Sequence, residues 1–391
     1  MQRLRFKADD GSNFPEWEEK KLSEMFKKVI EKNRLDLPPL TIVQGYGTIR
    51  RDESERRIAY DEKGLKNYKA VQKDDFIVHL RSFEGGLEIA NQDGIVSPAY
   101  HVYRGNDEVY PSFYYPYFRS SSFIKGKLSI CVTGVRDGKN IEMGSFDELL
   151  IPHPCLPEQQ KIAEFLSTID TVIEKQKETV SVWEERKKGV MQKLFSQEVR
   201  FKADDGSNFP EWEEKKLGEV FTERTERSKG GESLLSVTIA QGIVKQSETD
   251  KRNIASENKS NYKIVKKNDL AYNTMRMWQG AEGVSEYDGI VSPAYTVITA
   301  LDGNNSYFFE TLFKQTFMLQ VFQRYSQGLT SDTWNLKFPA FSEIKCQVPC
   351  ENEQNKIVEC VAVLDDVIEK QKVTLAAWEE LKKGLLQQMF V

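Results

Sequence analysis

Two segments of the chain place apolar residues at alternating spacings of four and three, the pattern of a coiled-coil helix. They run from Glu158 to Phe195 and from Glu353 to Phe390, contain no proline and carry charged residues beside the apolar positions. A helix of about 38 residues spans on the order of 55 to 60 Å at 1.5 Å per residue. The predicted interface residues are Ile162, Leu166, Ile169, Ile173, Gln176, Val180 and Trp183 in the first helix, and Ile357, Val361, Leu364, Ile368, Gln371, Leu375 and Trp378 in the second.

The two heptad patterns match so closely that we expect the helices to pair with each other, in antiparallel orientation. Polar residues occupy matching interface positions, Gln176 with Gln371 and Lys187 with Lys382. A buried polar residue costs stability but fixes register and partner choice. Two alternatives remain open: each helix could pack on its own domain, or it could dimerise with a second chain.

A repeat of about half the chain length explains why the helices match. The segment Arg5–Leu22 (RFKADDGSNFPEWEEKKL) returns unchanged at Arg200–Leu217, an offset of 195 residues. DGIVSPAY at Asp93–Tyr100 returns at Asp288–Tyr295, and 21 of the 38 positions in the helical segments are identical. A period this long indicates two domains rather than a solenoid, whose repeats are about 20 to 50 residues long.

The remaining sequence of each copy mixes short strands with helices. Residues 76–80 and 270–274 are typical of strands, while the aromatic-rich segments 110–124 and 307–325 are typical of helices that face a core. We therefore predict an α+β fold with two similar globular domains separated by two long antiparallel coiled-coil helices, a pseudo-two-fold tandem repeat. The predicted domain boundaries are residues 1–155 and 197–350 for the globular copies, and 156–196 and 351–391 for the helices.

Similarity between the copies is uneven. Leu80–Ala90 and Met275–Ser285 share only Arg81/Arg276 and Gly85/Gly280. We align Gln44-Gly45 with Gln241-Gly242, but the residues that follow diverge. Repeated blocks that stay the same while the segments between them diverge are expected if both copies do the same kind of work on different targets. Neutral drift of surface loops predicts the same unevenness.

Composition narrows the class of protein. The 391 residues include no apolar run long enough to span a membrane, and the charged N-terminus does not resemble a secretory signal. Five cysteines without a paired framework favour the reducing cytoplasm. The formal net charge of -5 does not by itself favour nucleic-acid binding. DNA binding would require local basic clusters or phosphate contacts from partner subunits.

No sequence motif of a catalytic site is present. We find no phosphate-binding loop, no glycine-rich turn suited to a dinucleotide or methyl donor, and no zinc-ligand spacing. The three histidines, His79, His101 and His153, all lie in the first copy. A function shared by both copies therefore cannot depend on histidine, and we expect no metal site and no catalysis by this chain.

Polar and basic residues in the diverged loops are the candidates for contact with DNA. Arginine can bind guanine O6 and N7 with paired hydrogen bonds, while asparagine and glutamine suit adenine. The candidates for contact with bases are Arg81, Ser82, Arg276, Asn273, Thr274 and Gln279. The candidates for contact with phosphate are Arg50, Arg51, Arg56 and Arg57 in one loop and Lys245, Lys251 and Arg252 in the other. A third group near the end of each copy comprises Arg136, Lys139, Thr330 and Ser331. Any of them could equally be an ordinary solvated or structural side chain.

The order of the repeated blocks resembles that of type I restriction-modification specificity subunits. FPEWEEKKL precedes a variable stretch that contains GIVSPAY, and a PxxxEQxKI motif then leads into the coiled coil. The arrangement occurs twice and covers essentially the whole chain. Pro154–Ile162 (PCLPEQQKI) keeps the pattern, whereas Pro349–Ile357 (PCENEQNKI) lacks the second proline.

This resemblance implies two target-recognition domains that read a bipartite site on double-stranded DNA, with a spacer set by the helices. It implies binding to two modification subunits, which hold S-adenosylmethionine and methylate adenine N6, and to restriction subunits that act as ATP-dependent translocase and nuclease. No cofactor is expected in this chain. The competing interpretations are a coiled-coil scaffold that binds proteins without DNA specificity, and a nuclease or methyltransferase that acts alone.

Overall fold

The computed structural model describes residues 4–54, 62–134, 139–239, 241–248, 258–330 and 333–390. The chain divides into two compact units, Met1–Thr179 with Gln371–Val391 and Val180–Lys370. Each unit contains one globular copy and segments of both long helices, α5 (Leu156–Phe195) and α10 (Glu351–Met389). Within the described ranges, no helix combines the length and the apolar character needed to cross a membrane.

The globular part of the first unit contains twelve short strands and four short α-helices within its described residues, besides short 3-10 and π turns. The strands are β1 (Glu18–Lys21), β2 (Phe26–Val29), β3 (Leu40–Val43), β4 (Gly47–Arg50), β5 (Lys69–Val71), β6 (Phe76–Val78), β7 (Glu88–Ile89), β8 (Gly94–Val96), β9 (His101–Gly105), β10 (Val132–Thr133), β11 (Asn140–Ile141) and β12 (Leu150–His153). The helices are α1 (Leu22–Met25), α2 (Ser82–Gly85), α3 (Pro111–Phe118) and α4 (Met143–Asp147).

The globular part of the second unit repeats most of these elements. Its strands are β13 (Glu213–Lys216), β14 (Phe221–Glu223), β15 (Leu235–Thr238), β16 (Gly242–Lys245), β17 (Lys263–Val265), β18 (Leu270–Asn273), β19 (Glu282–Val284), β20 (Gly289–Val291), β21 (Tyr295–Ala300) and β22 (Lys345–Val348). Its helices are α6 (Leu217–Val220), α7 (Ser306–Phe313), α8 (Thr316–Tyr325) and α9 (Phe338–Ser342). The segment predicted as one helix over 307–325 is thus two helices, α7 and α8.

An antiparallel four-stranded sheet forms the centre of each globular copy. The strand order is β2-β9-β6-β7 in the first and β14-β21-β18-β19 in the second. In the first sheet Val78 pairs with His101 at one end, which we call the loop end, because a turn follows β6 there. Phe26 pairs with Gly105 at the opposite end. We call the opposite end the helix end, because the chain beyond it meets the start of α5.

The start of each long helix is fixed to its copy by the Glu-Gln pair of the repeated motif. The carboxylate of Glu158 is fully buried and accepts hydrogen bonds from Arg5 Nε (3.1 Å) and Nη2 (3.0 Å) and from Trp17 Nε1 (2.9 Å). Gln159 Oε1 accepts the backbone N–H of Tyr110 at 2.8 Å. The second copy repeats the same contacts with Arg200, Trp212, Glu353, Gln354 and Asn305. The unchanged repeat therefore forms the same joint with both helices.

Aromatic side chains fill the core of each unit, and a long helix completes it. In the first unit Phe390, which follows α10, packs on Phe113 with ring centroids 5.6 Å apart. In the second unit Phe195 at the end of α5 packs on Phe308 at 5.8 Å. Burial of these rings is the main source of favourable free energy in both cores.

Within each unit the two long helices run antiparallel. In the first unit Gln176 Nε2 donates to Gln371 Oε1 at 2.8 Å, and Lys382 forms an ion pair with Asp170. In the second unit Lys187 forms an ion pair with Asp365. All fourteen predicted interface residues are buried or half-buried. The α+β class, the two similar copies and the two long antiparallel helices are thereby confirmed.

Candidate nucleic-acid interface

The turn that follows the central strand at the loop end of each sheet carries the matching arginines. We call these the strand-end turns, residues 80–86 in the first copy and 274–281 in the second. Arg81 is the N-cap of α2, and Arg276 is the N-cap of the 3-10 turn Met277–Gln279. Both side chains are exposed, and neither guanidinium has a hydrogen bond or ion pair with a described residue. Both cations are therefore free to bind an external acceptor.

Hydrogen bonds hold the first strand-end turn in one conformation. Ser82 is fully buried, and its hydroxyl accepts the backbone N–H of His79 at 2.8 Å. Arg81 N–H donates to His79 Nδ1 at 3.3 Å. Burial lowers the pKa of His79, which keeps the imidazole neutral and able to accept this bond. Direct contact between Ser82 and DNA would require this turn to open.

The second strand-end turn is held by different groups. Asn273 Oδ1 accepts the N–H of Met275 at 3.0 Å, and Thr274 Oγ1 donates to the carbonyl of Ala294 at 2.9 Å. Thr274 is nearly buried, whereas Gln279 is exposed. Gln279 therefore remains able to contact a base edge, while Asn273 and Thr274 already have partners within the fold.

The loop near the end of each copy lies against its strand-end turn. In the first copy the ammonium of exposed Lys139 is 5.8 Å from the centroid of the Phe83 ring. In the second copy Trp334 packs edge-on against Trp278 at 5.2 Å. Thr330 is exposed in that loop, and its N–H donates to Thr333 Oγ1 at 3.1 Å. The fold thus brings Lys139 to the first strand-end turn and the loop that carries Thr330 to the second.

A hairpin turn also reaches the strand-end turn of the first copy. The turn between β3 and β4 is held by the fully buried Glu88, which accepts Gly45 N–H and the Tyr115 hydroxyl, both at 2.8 Å. Gln44 packs so closely on Gly85 that a Cβ atom there would lie 2.1 Å from its amide nitrogen. Tyr46 at the tip is 64% exposed. The hairpin therefore presents an aromatic ring from a rigid base.

The hairpin of the second copy corrects our alignment of the two loops. Val43 pairs with Gly47 in the first hairpin, and Thr238 pairs with Gly242 in the second. Gly242 therefore corresponds to Gly47 and not to Gly45. Sequence comparison aligned the wrong glycine because the pattern Thr-Ile-x-Gln-Gly occurs at 41–45 and again at 238–242, two positions out of the 195-residue register.

A buried carboxylate near this second hairpin has no hydrogen-bond donor among the described residues. Glu282 is fully buried, and its nearest cation is Lys314 Nζ at 3.8 Å. Burial raises the pKa of Glu282 well above its usual value, and the neighbouring Glu310 adds to the rise while Lys314 opposes it. Glu282 thus occupies the place in the second copy that Glu88 occupies in the first, although the two residues are not related by the 195-residue offset. Glu88 is hydrogen-bonded, whereas Glu282 is a group that can bind a proton.

The phosphate-contact candidates within the described residues already have local partners. Arg50, the last residue of β4, donates to Asp52 Oδ1 (3.0 Å) and Oδ2 (2.7 Å). Its equivalent Lys245 lies 3.5 Å from Glu248 and 4.7 Å from the ring of Tyr287. Arg51 is half-buried over the ring of Tyr68. Surface ion pairs of this kind contribute little, so Arg50 and Lys245 can exchange a carboxylate for a phosphate at low cost. The candidates outside the described residues are Arg56, Arg57, Arg136, Lys251, Arg252 and Ser331.

The described residues contain no group of three or more His, Cys, Asp or Glu side chains that could hold a metal ion. Burial lowers the pKa of all three histidines and raises the pKa of Cys346 to about 12, so its thiol is not a nucleophile near neutral pH. The exposed side chains of the two strand-end turns include cations, an amide and apolar groups.

A groove of about 1170 Å³ in the first unit separates the globular copy from its helix pair. Tyr115 and Arg119 line one wall, and Asp170, Lys177 and Lys382 line the other. Lys177 and Lys382 are paired with carboxylates of the facing helices. These two cations of the helix wall are therefore largely neutralised.

Comparison with known proteins gives one consistent result. The family model of the type I restriction modification DNA specificity domain matches the chain twice, over residues 15–180 and 210–376. The type I restriction enzyme MjaVIII specificity subunit of Methanocaldococcus jannaschii is 29% identical over 157 residues, which are 38% of this chain and 36% of that protein. The match therefore spans little more than a third of the relative's length.

Two solved structures resemble the chain over nearly its whole length. The S subunit of the type I restriction-modification system from M. genitalium has a TM-score of 0.54 and 16% identity, and covers 100% of this chain and 99% of its own. A chain from a structural study of complex assembly and conformational transition of the type I R-M system has a TM-score of 0.55 and 16% identity, with 96% and 98% coverage. At this level of identity the likeness shows a shared fold.

Proposed function

The chain belongs to the family of type I restriction modification DNA specificity domains, and we propose that it selects the DNA target of a type I restriction-modification complex. Each globular copy recognises one half of a bipartite double-stranded site through the loop end of its sheet. The observation that supports this proposal most directly is the position of Arg81 and Arg276 on equivalent turns with different surroundings. Both side chains are exposed and unpaired with described residues.

Each arginine could recognise a guanine through a pair of hydrogen bonds. A guanidinium can donate to O6 and N7 of one guanine in the major groove, which discriminates against other bases by about 1–3 kcal/mol. Because the surrounding side chains differ between the copies, the two half-sites should differ in sequence. Arg50 and Arg51 in the first copy, and Lys245 as the equivalent of Arg50 in the second, would contact phosphate and position each copy on the duplex.

The long helices supply the spacer and the attachment surface in this proposal. Their facing sides are occupied by the antiparallel pairing, so partners must bind the outward faces, where Val363 and Val373 are exposed by 63% and 60%. The partners are two modification subunits, which hold S-adenosylmethionine, and the restriction subunits. This chain contributes recognition and no reacting group.

The experiment is detection of N6-methyladenine across the genome by single-molecule sequencing in the source cell, with and without this gene. Loss of one two-part motif on deletion, with return of the same motif on complementation, is the expected result. Expression of the chain with its modification subunits in a host without such systems should install that motif. If no motif arises there although the complex assembles, the chain is a scaffold and the proposal is wrong.

A further inference from the structure

An exposed apolar residue stands directly before the arginine in both strand-end turns. Leu80 is 64% exposed and precedes Arg81, and Met275 is 46% exposed and precedes Arg276. Single exposed apolar side chains are ordinary on protein surfaces, so exposure alone means little. The observation that carries weight is the recurrence of an exposed apolar residue before an exposed arginine in two segments that otherwise share almost nothing.

The fold keeps both side chains exposed. Ser82 N–H donates to the carbonyl of His79 at 3.0 Å and closes the turn around Leu80. In the second copy Arg276 N–H donates to the carbonyl of Asn273 at 3.0 Å, and the Asn273 side chain holds the N–H of Met275. These bonds hold the backbone of both turns with the two side chains exposed, so folding itself gains little from either residue.

Adjacent residues on a turn match adjacent base pairs in spacing. Consecutive Cα atoms lie about 3.8 Å apart, and base pairs rise about 3.4 Å along the duplex. If Arg81 contacts a guanine in the major groove, the Leu80 side chain falls on a neighbouring pair. The apolar group that a base pair presents in the major groove is the 5-methyl group of thymine.

We propose that Leu80 in the first copy and Met275 in the second contact a thymine 5-methyl group beside the base pair bound by Arg81 or Arg276, and so specify an A·T pair at that position of each half-site. This inference rests on the proposed function and names specificity-determining residues within it. Leucine and methionine fit the role because both are flexible beyond Cβ and expose no polar atom that would need a partner.

The test uses the full chain assembled with its modification subunits and the motif found by methylation sequencing. Each thymine of the first half-site is replaced in turn by deoxyuridine, which removes only the methyl group, and Kd is measured at one fixed salt concentration. Loss of one buried methyl group should weaken binding by wild-type protein about fourfold at one position. Leu80→Ala should weaken binding to thymine DNA about tenfold and should be insensitive to deoxyuridine at that same position.

Matched controls come from the helix end of the sheets. Leu150, which pairs with Lys21, is 45% exposed, and Leu301, which follows β21, is 41% exposed. Leu150→Ala and Leu301→Ala should leave Kd and the deoxyuridine response unchanged. Met275→Ala should act on the second half-site and leave the first unchanged.

Two results would overturn the inference while leaving the proposed function intact. One is that the Kd values of wild type and of Leu80→Ala respond in the same way to deoxyuridine at every position of the first half-site. The other is a wild type insensitive to every deoxyuridine substitution although Leu80→Ala weakens binding, which would indicate insertion of the side chain between bases instead. Absence of any motif would refute the proposed function itself.

Discussion

Replacement of Glu158 by alanine tests the joint that the unchanged repeat forms with α5. The substitution removes a fully buried carboxylate that accepts three hydrogen bonds from Arg5 and Trp17. Loss of one partner of a buried ion pair typically costs about 3–5 kcal/mol. Arg5 is 20% exposed and keeps its bond to the Phe14 carbonyl, so the lower end of that range, about 3 kcal/mol, is expected. In a unit of about 200 residues this lowers Tm by roughly 6–12 °C.

Differential scanning calorimetry of the full chain measures this effect, with urea unfolding as a second assay. Glu16→Ala is the control, because Glu16 also pairs with Arg5 but is 95% exposed, and it should cost less than about 0.5 kcal/mol. Glu353→Ala should match Glu158→Ala, since Arg200 and Trp212 repeat the contacts. A loss for Glu158→Ala no larger than that for Glu16→Ala would refute the reasoning.

Three further predictions follow from the site and the helix pair. Arg81→Ala should lower the methylation rate about tenfold or more and relax one position of the first half-site, while Arg276→Ala does the same in the second; methylation of a panel of single-base target variants measures both. Because burial raises the folded-state pKa of Glu282, the folded chain binds an extra proton and loses stability as pH rises above the unfolded value near 4.5. The Tm advantage of Glu282→Gln should therefore grow between about pH 5 and about pH 8, and an unchanged difference would exclude a raised pKa. Gln176→Ala should cost about 1 kcal/mol, since it leaves the half-buried Gln371 amide without its partner, whereas Gln176→Leu with Gln371→Leu should recover that loss in urea unfolding.

The helices and the repeat could be predicted because both are local or self-comparing patterns. The heptads predicted a helix over 156–196, and α5 covers Leu156–Phe195. The aromatic segment 307–325 was predicted as one helix but breaks between α7 and α8. At that break Lys314 lies next to the buried Glu282, a contact between residues 32 positions apart that no local pattern reveals.

The candidate site was predictable only in outline. Arg81 and Arg276 were found because they survive in a diverged segment, and the structure places both on exposed turns. Ser82 and Thr274 have the right chemistry for a base edge, yet their hydroxyls are used inside the turns. Sequence does not single out Leu80 and Met275, because exposure of an apolar residue depends on packing that composition and spacing do not encode.

In the proposed function, each globular copy recognises its own half-site independently of the other. The direct test replaces residues 218–348 by residues 23–153, so that both positions carry the first variable segment between unchanged joints. Methylation sequencing of cells that express this chain with the modification subunits gives the target. Independent recognition predicts a site composed of two copies of the first half-site, with the original spacer. Retention of the original second half-site would contradict it.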